Sequence, residues 1–531
     1  MSPSISVPQR LERPVYLDRL PPCNHGCPAG ENIQLWLDFS QDGRYREAWE
    51  VIMQDNPMPA VHGRSCYHPC EDVCNRVDVD RTVSIHAVER YLGDQALKEG
   101  WPVPIPPVDM SGKRVLVIGG GPSGLSAAYH LRRAGHDVTI HDAGPMAGGM
   151  MHFGIPKYRL PRDVLDQEID RIRDMGVEIV LNHKVEDVVA ELEAGGFDAG
   201  FLAIGAHLSR RVDIPARDAG RMYDAISFLR DVEDGEEPKI GRRVAIYGGG
   251  NTAMDAARTA KRLGADEALI IYRRDREHMP AHDFEAVEAL DEGVEMHWLR
   301  TIRQIDESMF KVEVMELDEA GYPQPTGRFE QLEVDTLIMA LGQDVDTDFL
   351  QTVPGLEFKK DGTVLVGPDM MTGYPGLFAG GDMVPSERTI TVAVGHGKKA
   401  SRYIDAYLKG TSYIPAPKHE IATSELLNLW YDTDAAQREQ AHIPVSQRQT
   451  TFDEVIGGLD EESARYEAQR CLSCGNCFEC DACLGCCPDD AVIKLGVGKR
   501  YRFDYDLCTG CRICAEQCPC AAIEMVAEPN A

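Results

Sequence analysis

The residues best equipped for chemistry are the cysteines of the last 55 positions. They read Cys477-x2-Cys480-x2-Cys483-x3-Cys487-Pro488, then Cys508-x2-Cys511-x2-Cys514-x3-Cys518-Pro519. Two copies of this spacing are the pattern of a domain carrying two [4Fe–4S] clusters. Three thiolates on one tight loop can cap three irons of a cubane. The fourth, held by its proline at a helix start, is aimed at the other cluster. Cys477, Cys480, Cys483 and Cys518 are therefore assigned to one cluster, and Cys508, Cys511, Cys514 and Cys487 to the second. A zinc ribbon rarely uses eight cysteines in this register, and a disulfide knot requires an oxidising compartment. The implied chemistry is single-electron transfer.

Five more cysteines lie at 23–74, and none falls between Asn75 and Arg470. That cysteine-free middle carries two glycine-rich turns. In RVLVIGGGPSGLSAAYHLRRAGHDVTIHD, a buried strand leads into Gly119, Gly121, Pro122, Ser123 and Gly124, a helical pattern follows, and a second strand ends near Asp142. Strand, glycines, helix and terminal acid together are the dinucleotide-binding βαβ unit. The helix N-terminus faces a pyrophosphate, and Asp142 accepts from a ribose hydroxyl. A second copy, RVAIYGGGNTAMDAARTAKRLGADEALIIYRR, carries Gly248, Gly250, Asn251, Thr252 and Ala253. Where the acid should stand it has Arg273 and Arg274. Guanidinium groups suit the 2′-phosphate of NADP(H), which an acid would repel, so NADP(H) is favoured over NAD(H). The alternative is a solvated basic strand end paired with the acids that follow.

These elements need several domains to hold them, and 531 residues provide the length. The formal net charge of −31 argues against nucleic acid and anionic membranes as partners. No apolar run is long enough to span a bilayer and the opening MSPSISVPQR has no apolar leader core, so a cytoplasmic location is expected.

The middle resembles the two-dinucleotide flavoprotein fold, specifically the glutamate synthase small (beta) subunit group. That group also takes in the flavin and NADPH half of dihydropyrimidine dehydrogenase and the large subunit of the bifurcating ferredoxin:NADP transhydrogenase. GGGPSGLSAA, GGMMHFGIPKYRLP (148–161), GGGNTAMDAA, YRRDREHMPA (272–281) and LFAGGDM (377–383) carry the match. The resemblance implies that the first module binds FAD, that Gly148 and Gly149 approach the flavin, and that Gly381 and Asp382 meet the ribityl chain. The helix after Thr391 then points at the flavin pyrimidine, and the second module takes the nicotinamide. Disulfide reduction, the chemistry of other paired-module flavoproteins, needs a cysteine pair that this middle lacks.

Residues 23–90 are similar to that group's helical iron–sulfur domain, but the R-C-x-x-C that should precede Cys23 is missing. An orphan Cys471-x-x-Cys474 stands instead just before the tail. The resemblance then implies that Cys23, Cys74, Cys471 and Cys474 hold one cluster. Cys27, Cys66 and Cys70 hold another, with Glu89 as the fourth ligand. Four cubanes account for fifteen of the seventeen cysteines and leave Cys486 and Cys520 free. The alternative is a single head cluster with Cys471 and Cys474 structural. His25, His68 and His86 read as packing residues.

The expected architecture is α/β, with two Rossmann-like modules preceded by a helical iron–sulfur domain and followed by a bacterial ferredoxin-like α+β domain. The boundaries run 1–110 for the helical head, 111–235 and 346–410 for the FAD module, and 236–345 for the NAD(P)H module. Residues 411–475 form a connector and 476–531 the tail. Hydride carriers move two electrons and clusters one, so a flavin must stand between them. The expected role is an NAD(P)H:acceptor oxidoreductase acting as the electron-transfer subunit of a hetero-oligomeric complex with other redox subunits or ferredoxin. The added tail resembles those serving 2-oxoacid:ferredoxin oxidoreductases. Rivals are a glutamate synthase small subunit, a bifurcating transhydrogenase subunit and a mainly structural relay scaffold. No catalytic side chain is expected, because hydride transfer needs none.

Overall fold

A computed structural model describes residues 10–529 apart from 211, 213 and 218–220. The opening stretch 1–9, read above for a leader, lies outside them. Two five-stranded parallel sheets form the centre. The first runs Leu377–Ala379, Ala199–Leu202, Arg114–Ile118, Asp137–His141, Glu178–Val180. Its central strand is buried over four of five residues, as a sheet covered on both faces requires. Helix Pro122–Arg133 covers one face, opening on a proline whose missing N–H costs nothing there. Helix Ile390–Leu408 lies along it so closely that a Cβ on Gly397 would fall 2.3 Å from the Ser123 carbonyl oxygen.

The second sheet runs Val294–Trp298, Glu267–Tyr272, Arg243–Tyr247, Thr336–Met339, Arg221–Asp224. Its last strand lies before residue 236, so the second module starts earlier than the sequence boundary. Arg221–Asp224 is an edge strand with no buried residue, which leaves no hydrophobic alternation to read. A meander of Arg300–Asp306, Met309–Leu317 and Pro323–Glu333 is appended. The chain passes between modules on two short segments, Leu208–Ser209 and Gln343–Asp344, which pair antiparallel.

The head is helical, built on Ile33–Gln41, Tyr45–Ile52, Pro59–Ser65 and Ile85–Glu99 around the fully buried Trp36 and Trp49. Helix Glu461–Gln469, from the far end of the chain, packs against the first and last of these. The segment Glu12–Tyr16 does not belong to the head. Glu12–Tyr16 pairs antiparallel with Ile523–Ala527, and Tyr16 stacks on Phe503 with ring centroids 5.0 Å apart. The first strand among the described residues thus completes the tail. Among the described residues no helix is long and apolar enough to cross a membrane.

Candidate redox centre

In the first module Gly119 has φ of +107°, and a Cβ there would sit 2.3 Å from the Ala203 carbonyl oxygen, so only glycine makes this turn. Gly121 faces open space, and a Cβ on Gly124 would strike the Gly119 carbonyl. Ser123 Oγ, at the same helix start, is buried without a hydrogen-bond partner. An open glycine, an orphan hydroxyl and a helix N-terminus fit a pyrophosphate. Asp142 accepts from the Gly120 N–H (2.6 Å) and from the Gly144 N–H (2.7 Å), which fixes its carboxylate beside the turn. The Gly148 N–H donates to the Gly120 carbonyl (2.8 Å), laying the Gly148–Gly149 turn against the fingerprint. Asp382 lies in the turn Gly381–Met383, where burial pushes its carboxyl up to about 6.

The second module repeats the arrangement. Gly250 faces open space, helix Asn251–Arg262 starts there, and Ala253 is fully buried where the motif allows no bulk. Thr252 lies in the same first turn. Asn251 donates through Nδ2 to the Tyr67 hydroxyl (2.7 Å) and accepts the His282 N–H (3.0 Å). Arg273 is exposed at the strand end, and Arg274 lies 5.6 Å from the Tyr322 ring centroid.

The cysteines fall into four groups. Cys23, Cys74, Cys471 and Cys474 line one cavity, although they come from opposite ends of the chain. Burial, and then the charges of Cys471, Cys74 and Cys474, push the Cys23 thiol up. Cys27, Cys66 and Cys70 form a second group. Burial raises all three, and Cys66 reaches about 12. Two buried carboxylates face it. Asn56 Nδ2 donates to Glu31 (3.0 Å) and to Glu89 (2.8 Å), and burial raises both acids, Glu31 to about 7. In the tail, Cys487, Cys508, Cys511 and Cys514 line another cavity with Pro14. Burial raises the Cys477, Cys480 and Cys483 thiols, and the charge of Cys518 adds to the rise at each, so Cys518 lies beside the first tail loop. Each loop's fourth cysteine thus lies beside the other loop's three. Buried sulfurs crowding one another suit a cationic iron core, which would relieve the mutual repulsion that keeps them protonated.

Sequence reasoning missed four features here. Thr391 donates through Oγ1 to Cys66 Sγ at 2.9 Å, joining the start of the flavin-module helix to the second cysteine group. Lys398, from that helix, donates to the carbonyls of Ala29 (2.8 Å) and Gly30 (3.0 Å) and pairs with Asp55. Glu31 joins Glu89, and its place four residues after Cys27 was the available signal. Cys520 is not isolated, because its sulfur lies 3.8 Å from Cys518 and this contact holds the Cys518 thiol down to about 6. His68 and His86 stack at 4.1 Å, with the His86 ring also bonded to Glu71 (2.8 Å) and Gln440 (3.0 Å).

Two dinucleotide modules, a helical cysteine-rich head and a ferredoxin-type tail define a flavin- and iron–sulfur-dependent NAD(P)H oxidoreductase. The family model described as pyridine nucleotide-disulphide oxidoreductase matches residues 113–397. That described as dihydropyrimidine dehydrogenase domain II, 4Fe-4S cluster, matches 17–101, and a 4Fe-4S binding domain matches 501–524. The chain belongs to the pyridine nucleotide-disulphide oxidoreductase family. It is 38% identical over 499 residues to the NADP(+)-dependent formate dehydrogenase subunit beta of Moorella thermoacetica, covering 85% of this chain and 70% of the relative. It is 32% identical over 505 residues to the NADPH-Fe(3+) oxidoreductase subunit beta of Geobacter sulfurreducens, covering 85% and 75%. The glutamate synthase [NADPH] small chain of Escherichia coli is 33% identical over 419 residues, covering 73% and 89%. FAD, NAD(P)H and [4Fe–4S] clusters are accordingly its cofactors, and it is an electron-transferring oxidoreductase subunit.

Proposed function

We propose that this chain links NAD(P)H to a partner complex through four [4Fe–4S] clusters in a line, with FAD next to the head. The observation that carries this reading is the cavity shared by Cys23 and Cys74 with Cys471 and Cys474. A cavity lined by both pairs supports one cluster whose ligands come from both iron–sulfur regions. When bound, nicotinamide supplies a hydride, flavin exchanges electrons in ones and twos, and the clusters carry them singly. The proposed order is Cys27, Cys66 and Cys70 with Glu89 nearest the flavin module, then Cys23, Cys74, Cys471 and Cys474. The tail sets follow, first Cys477, Cys480, Cys483 and Cys518, then Cys487, Cys508, Cys511 and Cys514.

The chain's own residues support that order. Thr391 joins the flavin module to Cys66, and Lys398 fastens the head beside it. Cys474 precedes Cys477 by three residues, and the Gly475 N–H donates to the Cys520 carbonyl (2.7 Å) next to the tail. Asp142, Ser123 and Gly121 would seat the FAD pyrophosphate and ribose, while Asn251 and Arg273 would orient an NADP(H) whose phosphate an acid would repel. Cys480 and Cys511 are exposed, so each tail group reaches the surface where a partner can dock. The partner we propose is an iron–sulfur subunit of an organic-acid oxidoreductase. The Moorella relative bears formate in its name, and 2-oxoacids belong to the same class of substrate. The experiment is anaerobic stopped-flow mixing with NADPH and, separately, NADH, following flavin and cluster absorbance. Flavin bleaching followed by cluster bleaching with NADPH is expected. Bleaching by neither nucleotide contradicts the role.

A further inference from the structure

We propose that His141, His183 and Glu191 form a site for one divalent metal ion of zinc type, separate from every cysteine group. The three come from different elements. His141 ends the strand Asp137–His141, His183 lies in the loop after Glu178–Val180, and Glu191 lies in the first turn of helix Val188–Gly195. Asn182 has φ of 55°, and this left-handed step precedes His183. His141 Nδ1 stands 3.0 Å from Glu191 Oε1 and His183 Nε2 stands 2.9 Å from the same oxygen. The two rings lie 4.2 Å apart, and all three donor atoms fall within 4.8 Å of one another. Metal–nitrogen bonds of about 2.0–2.1 Å in a tetrahedron set donors about 3.3 Å apart. A small outward movement of the side chains therefore admits an ion.

The donor set selects the ion's class. Two imidazoles and a carboxylate suit zinc or a similar first-row divalent ion, while calcium and magnesium prefer oxygen and cluster iron prefers thiolate. His183 is the most exposed of the three, leaving a fourth position open to water. The other histidine–carboxylate group, His68, Glu71 and His86, differs in a decisive way. Both ring nitrogens of His86 already have partners there, so it is a satisfied hydrogen-bond set.

An ion here would brace the turn that carries Asp142. The His183 N–H donates to the Asp142 carbonyl (2.8 Å), and the Asn182 N–H to that of Gly144 (2.9 Å). Tighter retention of FAD in the metal-loaded protein follows, and this consequence, unlike the site itself, rests on Asp142 being the ribose acid. The test is anaerobic zinc sulfate titration of the holoenzyme, with zinc analysis and zinc K-edge absorption on the same samples. The expected result is one zinc per chain in a nitrogen and oxygen shell without sulfur. His183→Ala and Glu191→Gln should each weaken it by about 30-fold or more while iron content stays unchanged. These two side chains are more exposed than His141, so their replacement spares the strand. No retained zinc, zinc bound to sulfur, or wild-type affinity in both variants would overturn the proposal. Zinc binding as expected with FAD retention unaltered would remove only the bracing role.

Discussion

Replacing Thr391 by valine tests the contact on which the flavin-to-head step depends. The side chain is almost fully buried, and its hydroxyl donates to Cys66 Sγ at 2.9 Å. Valine keeps the shape and removes the donor. Hydrogen bonds to a ligand sulfur stabilise the reduced, more negative cluster and raise its potential. A net hydrogen bond contributes about 0.5–1.5 kcal/mol. For a one-electron couple a tenfold change in equilibrium, about 1.4 kcal/mol, corresponds to about 59 mV, so one cluster should fall by roughly 20–60 mV. The assay is a redox titration of the holoenzyme followed by electron paramagnetic resonance, with iron and flavin counted to show that both are retained. Thr391→Ser should restore the native potential. A shift upward, a shift confined to a tail cluster, or none beyond about 10 mV would refute the placement of Cys66 as a ligand beside this helix.

Lys398→Met leaves Asp55 and two carbonyls without their buried cation, a loss of about 3–5 kcal/mol from the seating of the head on the flavin module. Limited proteolysis should then cut the head markedly earlier, and an unchanged cleavage pattern would contradict the contact. Arg273→Ala should weaken NADP(H) binding by about 10–100-fold, from loss of one or two charged hydrogen bonds, and leave NAD(H) nearly unaffected; equal small effects would remove the 2′-phosphate assignment. Glu168 is fully buried, and burial pushes its carboxyl from 4.5 to about 8. The folded state therefore holds a proton that the unfolded state releases between those values, and stability falls as pH rises through that window. Glu168→Gln should remove on the order of 3–5 kcal/mol of that decline, read as denaturant midpoints at pH 5 and pH 8.5. Parallel pH profiles for variant and wild type would contradict it.

What was legible in the sequence is what local geometry dictates. Gly119 and Gly124 are forced by backbone approach within a single βαβ unit, so the fingerprint can be read without knowing the rest of the fold. The tail loops are equally local. The fifth strand of the second sheet, Arg221–Asp224, buries nothing and has no pattern to read. Glu12–Tyr16 becomes a strand only because Ile523–Ala527 is there to pair with it, more than 500 residues later. Thr391 and Cys66, and Tyr67 and Asn251, meet across domain boundaries that no spacing encodes. The shared cavity of Cys23 with Cys471 was reachable by another route, because a missing pair at one end matched a surplus pair at the other.

The most direct test is to count iron, sulfide and FAD in wild type and in Cys471→Ser/Cys474→Ser, then reduce each with NADPH and follow the tail clusters by freeze-quench electron paramagnetic resonance. The account predicts about sixteen irons per FAD falling to about twelve, with flavin still reduced and the tail clusters left largely oxidised. Sixteen irons retained in the double variant, or tail clusters reduced at the wild-type rate, would contradict it.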